Sequence, residues 1–247
     1  MNLHVEDTGG SGVPVVLHHG LGCDCTVWSA QVEHLRKQHR VVAFDARGHG
    51  SSPRAQEYTI AALAEDLNGL VTRLALPKFW LVGHSMAGGV LSEFAGRFPY
   101  KLLGLVYVDA VGDYSRGPEN VKEWFRKHDQ GATPQKLREW FDEMVGSLAK
   151  PETRRRVLEA VARMDVPAFA ALRSSLGDST PAASLARFGG PKFAIDAQGM
   201  DNPYMAYNLE GVRRRTIPGV SHWLMLDDPA ALNAALDEVL GSTLSPP

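Results

Sequence analysis

Short apolar runs alternate with segments of helical period over the first hundred residues, and the rhythm returns after residue 190. The runs lie at 13–17, 41–44, 79–82, 103–108, 193–195 and 212–217. The first five are continuous blocks and not alternating ones, which suits strands buried on both faces. Between the second and third runs, Ile60, Leu63, Leu67, Leu70, Val71 and Leu74 recur at helical spacing, with Thr59 placed to cap the first turn. A second helix is predicted after Ser85, through Val90, Leu91 and Phe94, ending near Phe98-Pro99. A last one is predicted over 230–240. Strands alternating with helices predict an α/β fold: a mostly parallel sheet flanked by helices and joined by right-handed crossovers.

The alternation breaks between about residues 112 and 190, where only helical stripes occur. Val121, Trp124, Phe125 and His128 form one. Leu137, Trp140, Phe141, Met144, Val145 and Leu148 form a stronger one, and Val157, Val161 and Met164 a third. Pro118, Pro134, Pro151, Pro167 and Pro181 stand at the expected breaks. The division is therefore a core of 1–112 and 191–247 with an inserted helical cap at 113–190, over the carboxyl edge of the sheet. Most of the stripe residues are expected to pack the cap onto the core and a minority to face a pocket. The tail 242–247 is expected to fray.

Composition narrows the function without naming it. The 247 residues are 44% hydrophobic and 22% charged, with a net charge of −2 and a pI near 6.5. These are ordinary globular values, and they predict neither a nucleic-acid footprint nor a membrane surface. The amino terminus lacks the basic and apolar regions of a secretory signal, and no run approaches the roughly 18 apolar residues of a membrane helix. The two cysteines, Cys23 and Cys25, are one residue apart, a spacing at which a disulfide would be strained. They read as a reduced pair of small buried hydrophobes in a cytoplasmic protein.

Three motifs carry chemistry. In Gly83-His84-Ser85-Met86-Ala87-Gly88-Gly89, small residues flank a serine between an apolar run and a helix. A sharp strand–turn–helix needs that arrangement to expose a nucleophile, and the Met86 N–H at the helix start would face an oxyanion. The alternative, an ordinary helix-capping serine, does not explain the small flanking residues. His18-His19-Gly20-Leu21-Gly22 follows the first run, and its turn can aim the Leu21 N–H at the same oxygen. It matches neither phosphate-binding glycine motif. In Pro218-Gly219-Val220-Ser221-His222, the histidine follows the last strand. A serine hydroxyl needs such a base to become a nucleophile. His18, His19 and His49 lack metal-ligand spacing, so neither metal nor cofactor is expected.

With Asp45-Ala46-Arg47-Gly48-His49-Gly50-Ser51-Ser52 added, the order and spacing of these motifs resemble the α/β-hydrolase superfamily over nearly the whole chain. The resemblance implies the α/β-hydrolase fold with Ser85, His222 and an acid in that chain order, and a structural role for Asp45 and Arg47. The acid usually follows the strand after the cap. Asp196 ranks first, at the end of that run; Asp109, which ends the run before the cap, ranks second, and Asp201 third. The expected activity is that of a carboxylesterase or lactonase acting on a small or medium apolar ester through an acyl-enzyme, as monomer or homodimer. Carbon–carbon bond hydrolysis and perhydrolysis use the same residues. A ligand sensor signalling to a protein partner is the reading from another class.

Overall fold

A computed structural model describes residues 1–127, 131–199 and 202–241. Its elements are β1 (Val5–Asp7), β2 (Val15–His18), α1 (Ser29–Leu35), β3 (Val41–Phe44), α2 (Ile60–Arg73), β4 (Phe79–His84), α3 (Ala87–Arg97) and β5 (Leu102–Val108). The helical insertion follows as α4 (Glu119–Lys127), α5 (Pro134–Val145), α6 (Pro151–Val161), α7 (Val166–Asp178) and α8 (Pro181–Leu185). The chain closes with β6 (Lys192–Ala197), β7 (Val212–Ile217), α9 (Leu224–Asp227) and α10 (Pro229–Gly241). Asp201, His128 and the tail 242–247 lie outside the described residues.

The strands form one seven-stranded sheet in the order β1-β3-β2-β4-β5-β6-β7. All neighbours are parallel except β1, which runs antiparallel to β3 at the edge. Strands β2, β3 and β4 are buried at every residue, as continuous apolar runs require when helices cover both faces. The far edge, β7, is Val-Arg-Arg-Arg-Thr-Ile with its three arginines exposed. Charge on an open edge discourages pairing with another chain.

Helix α2 begins as its sequence demands. The Thr59 hydroxyl accepts the Ala62 N–H at 3.1 Å, and Ile60, Leu63, Leu67, Leu70 and Val71 are buried. Burying each such side chain contributes about 1.5–3 kcal/mol before chain entropy is charged against it. In the insertion, Pro134, Pro151 and Pro181 each open a helix, where a missing N–H costs nothing. Helix α4 packs on α7, and α8 on α3 of the sheet domain.

The register positions the functional loops. His18 of β2 pairs with Gly83 of β4, so Gly20 and Ser85, two residues further on, face each other. They do so where the sheet order reverses: β3 lies on one side of β2 and β4 on the other. Loops diverge there and leave a crevice at the carboxyl edge. His84 pairs with Val108, and Val108 with Ile195. Ser85, Asp109 and Asp196 therefore stand side by side at the ends of β4, β5 and β6.

Candidate active site

Among the described residues, Ser85 is one of three non-glycine residues with positive φ, at 54°. Serine rarely adopts this region, and holding it there costs of order 1–3 kcal/mol. The surrounding bonds impose it. Ser85 donates its N–H to the Val108 carbonyl at 3.2 Å, and its carbonyl accepts the N–H groups of Gly88 and Val111 at 3.0 Å each. The turn also needs an empty position two residues earlier. A Cβ on Gly83 would lie 2.5 Å from Leu91 Cδ1 and 2.8 Å from the Ala87 Cβ.

The loop after β2 presses on this turn. A Cβ on Gly20 would stand 2.7 Å from His84 Nδ1 and 2.9 Å from the Ser85 Cβ. His19 holds the loop in place: its Nε2 accepts the Ala46 N–H at 2.9 Å, so Nδ1 carries the proton and donates to the Gly20 carbonyl at 2.7 Å. Burial, with the charge His49 would carry, pushes the His19 pKa down to about 3, so this arrangement persists at neutral pH. Leu21 and Met86 both line the cavity beside Ser85. Among the described residues, neither of their N–H groups donates to a protein acceptor. Asp45 accepts the Cys25 and Ser51 N–H groups at 2.7 Å each, and Arg47 Nε donates to Asp66 at 2.6 Å. These bonds brace the neighbouring turn.

His222 meets Asp109 and not Asp196. Its Nδ1 donates to Asp109 Oδ2 at 2.6 Å, and Asp109 Oδ1 accepts the Ala197 N–H at 3.1 Å. The carboxylate in contact with His222 is therefore the second-ranked candidate and not the first-ranked one. Asp109 lies just past β5 with φ at 42°, and it lines the cavity beside Ser85. Asp196 is still inside β6, paired with Thr216, and its Oδ2 accepts from Arg214 Nε at 3.2 Å. Ser85 and His222 line one cavity, and no direct hydrogen bond joins them in this arrangement.

His84 is a member of the site that the sequence reading passed over, although it sits beside the serine in the motif. Its Nε2 donates to the His222 carbonyl at 2.9 Å, and the two rings lie 4.5 Å apart. Burial first, and then the proximity of His222, hold its pKa well below the usual histidine value. A neutral ring can pin the His222 loop without adding charge to it.

A profile of the alpha/beta hydrolase family matches residues 15–235. The chain belongs to this family. An uncharacterized protein of Mycobacterium tuberculosis strain H37Rv is 39% identical over 105 residues, 42% of this chain and 30% of that protein. The 2-hydroxy-6-oxo-2,4-heptadienoate hydrolase of Pseudomonas putida is 37% identical over 116 residues, 45% of this chain and 41% of that one. The chain thus matches less than half the length of either relative. Among solved structures, a thermophilic esterase from Thermogutta terrifontis superposes with a TM-score of 0.85 at 26% identity, over 98% of this chain and 94% of that one.

In this alpha/beta hydrolase, the cavity beside Ser85 has a volume of about 490 Å³. Trp124, Phe125, Trp140, Phe141 and Met144 of the insertion all line it. One buried cation joins this wall: the Arg173 guanidinium lies 4.3 Å from the Trp124 ring and 4.9 Å from that of Trp140. Contacts with aromatic faces offset part of the cost of burying its charge.

The loop bearing His222 is anchored by Asp227, which the sequence reading also missed. The Asp227 carboxylate accepts from Ser221 N–H at 2.8 Å, Ser221 Oγ at 2.5 Å, Thr153 Oγ1 at 2.7 Å and Lys150 N–H at 3.0 Å. Burial opposes its charge, but these bonds outweigh burial and hold its pKa below the usual carboxylate value. Stability from this depressed pKa is present above about pH 4 and is lost as pH falls through the folded value. Asp227→Ala should cost about 3 kcal/mol at pH 7 by leaving buried donors unmet. Urea titrations at pH 7 and pH 3.5 should show the difference from wild type shrinking at the lower pH.

The two thiols are free and buried, as the spacing predicted. Trp223 Nε1 donates to Cys23 Sγ at 3.2 Å, and burial pushes the Cys23 thiol up to about 12. Neither cysteine should react with an aromatic disulfide reagent in the native protein, and both should react once urea unfolds it. Absorbance of the released thiolate counts them.

Proposed function

We propose that this chain is a serine hydrolase of small or medium apolar esters or lactones, with Ser85 as nucleophile, His222 as base and Asp109 as acid. The observation that carries this reading is the joining of a strained Ser85 and the His222–Asp109 pair in one largely apolar cavity. His222 takes the Ser85 proton as Oγ attacks the ester carbonyl. The N–H groups of Leu21 and Met86 receive the developing oxyanion, each worth roughly 3 kcal/mol in the transition state. The imidazolium then protonates the leaving alcohol, and Asp109 stabilises its charge. Water, deprotonated by His222, cleaves the acyl-enzyme and restores Ser85. Residues 113–190 serve as a cap that sizes the acyl pocket and excludes water. The unbridged thiols fit a reducing, cytoplasmic setting.

The test is a fluorophosphonate adduct, located by peptide mass spectrometry, followed by a panel of chromogenic esters of rising acyl length. A folded protein whose Ser85 stays unmodified defeats the reading. Carbon–carbon bond hydrolysis is the second reading, favoured by the Pseudomonas putida relative and by Arg173, which would face the carboxylate of a dienoate substrate in the cavity. Turnover of such a dienoate with no turnover of any ester would establish it instead.

A further inference from the structure

Asp196 has no place in the mechanism above, yet it is a fully buried carboxylate beside the working one. Its strand neighbour across the ladder is the segment that ends in Asp109: Ile195 pairs with Val108, and the Asp109 N–H donates to the Ile195 carbonyl at 2.9 Å. Asp109 Oδ1 accepts the N–H of Ala197, the residue after Asp196. Asp196 Oδ2 faces one cation, Arg214 of β7, whose guanidinium also lies 3.5 Å from the Tyr207 ring centre. Asp196 Oδ1 is buried with no hydrogen-bond donor.

Resting on the reading of His222 as base, we propose that Asp196 is a positioning residue that carries a proton next to Asp109, so that the buried pair presents one negative charge to His222. An ionised carboxylate oxygen with no donor, buried beside a second carboxylate, is unfavourable twice over: through desolvation and through like-charge repulsion. A proton on Asp196 relieves both. Asp109 then remains the anion, since it has two donors, His222 Nδ1 and the Ala197 N–H. The charged and titratable groups facing Asp196 among the described residues are Asp109 from the end of β5 and Arg214 from β7, with His222 beyond Asp109. Burial and the Asp109 charge push the Asp196 pKa up to about 7 against the pull of Arg214, in agreement with the contacts. Above neutrality Asp196 ionises, and a second negative charge behind Asp109 strengthens His222 as a base.

The test compares kcat/KM against pH for the full-length wild type and Asp196→Asn, with a chromogenic ester that the wild type turns over. Asparagine keeps the shape and cannot ionise, so the acid limb should move down by about half a pH unit. It should also simplify to a single ionisation. A merely structural role would lower the rate evenly and leave the limb where it is. Carboxyl 13C shifts of aspartate-labelled wild type give a reading that needs no variant to fold: one buried carboxyl should titrate near neutrality. An unmoved limb, or no aspartate carboxyl titrating above about pH 6, overturns the proposal. Failure of the Ser85 reading shows differently, as an unlabelled Ser85 in the wild type.

Discussion

Ser85→Ala should lower kcat/KM on any ester the wild type cleaves by roughly 10⁴- to 10⁶-fold, about 5–8 kcal/mol of transition-state stabilisation. The effect is large because the serine cannot be replaced by a neighbour. Met86 and Ala87 bear no nucleophile, and His84 is held neutral with its Nε2 committed to the His222 carbonyl. The residual rate comes from the N–H groups of Leu21 and Met86 and from the cavity, which alanine leaves intact. The fold should survive. The turn is held by backbone bonds from Gly88, from Val111 and to Val108, none of which uses the Ser85 hydroxyl. Steady-state kinetics with active-site labelling reads the first expectation, and an unchanged thermal midpoint reads the second. Activity that persists in Ser85→Ala, in a preparation free of other hydrolases, removes Ser85 from the chemistry.

What the sequence made legible depends on how local the deciding physics is. The elbow at Ser85 was readable because its constraint is steric and lies within five residues: Gly83 and Ala87 must be small for the turn to close. The helices of the insertion were readable from their prolines, which act on their own backbone. Strand β1 was not. Val5–Asp7 buries little of its own surface, and it is a strand only because it pairs with β3 about 37 residues away. Asp227 was silent for the same reason, since its donors come from residues 150, 153 and 221. The acid is the instructive case. Val108-Asp109 and Ile195-Asp196 look alike, each an aspartate at the end of an apolar run. They differ in a positive φ at Asp109, and in a strand that extends one residue past Asp196. Both are set by packing between strands, so no local pattern ranks them.

That difference makes Asp109→Asn the sharpest discriminating substitution. It should lower kcat/KM by about 10⁴-fold, or some 5 kcal/mol, the scale expected when a triad acid becomes an amide. The Asp109 carboxylate accepts from His222 Nδ1, so Nε2 is left bare to receive the Ser85 proton. An amide at that place can turn its NH₂ toward the ring, which favours the opposite tautomer with the proton on Nε2. Such a histidine cannot act as a base, and no carboxylate remains within reach of the imidazolium. Asp196 does not take over. It stays in the β6 ladder opposite Thr216, with its Oδ2 on Arg214. The loss at Asp109 should therefore exceed that at Asp196→Asn by orders of magnitude, and raising the pH should restore part of the Asp109→Asn rate as hydroxide assumes the role of base. If the two variants lose activity equally, the carboxylates act as one acid, and the assignment of the role to Asp109 alone fails. If Asp196→Asn is the worse, the loop bearing His222 must swing across to β6 when substrate binds.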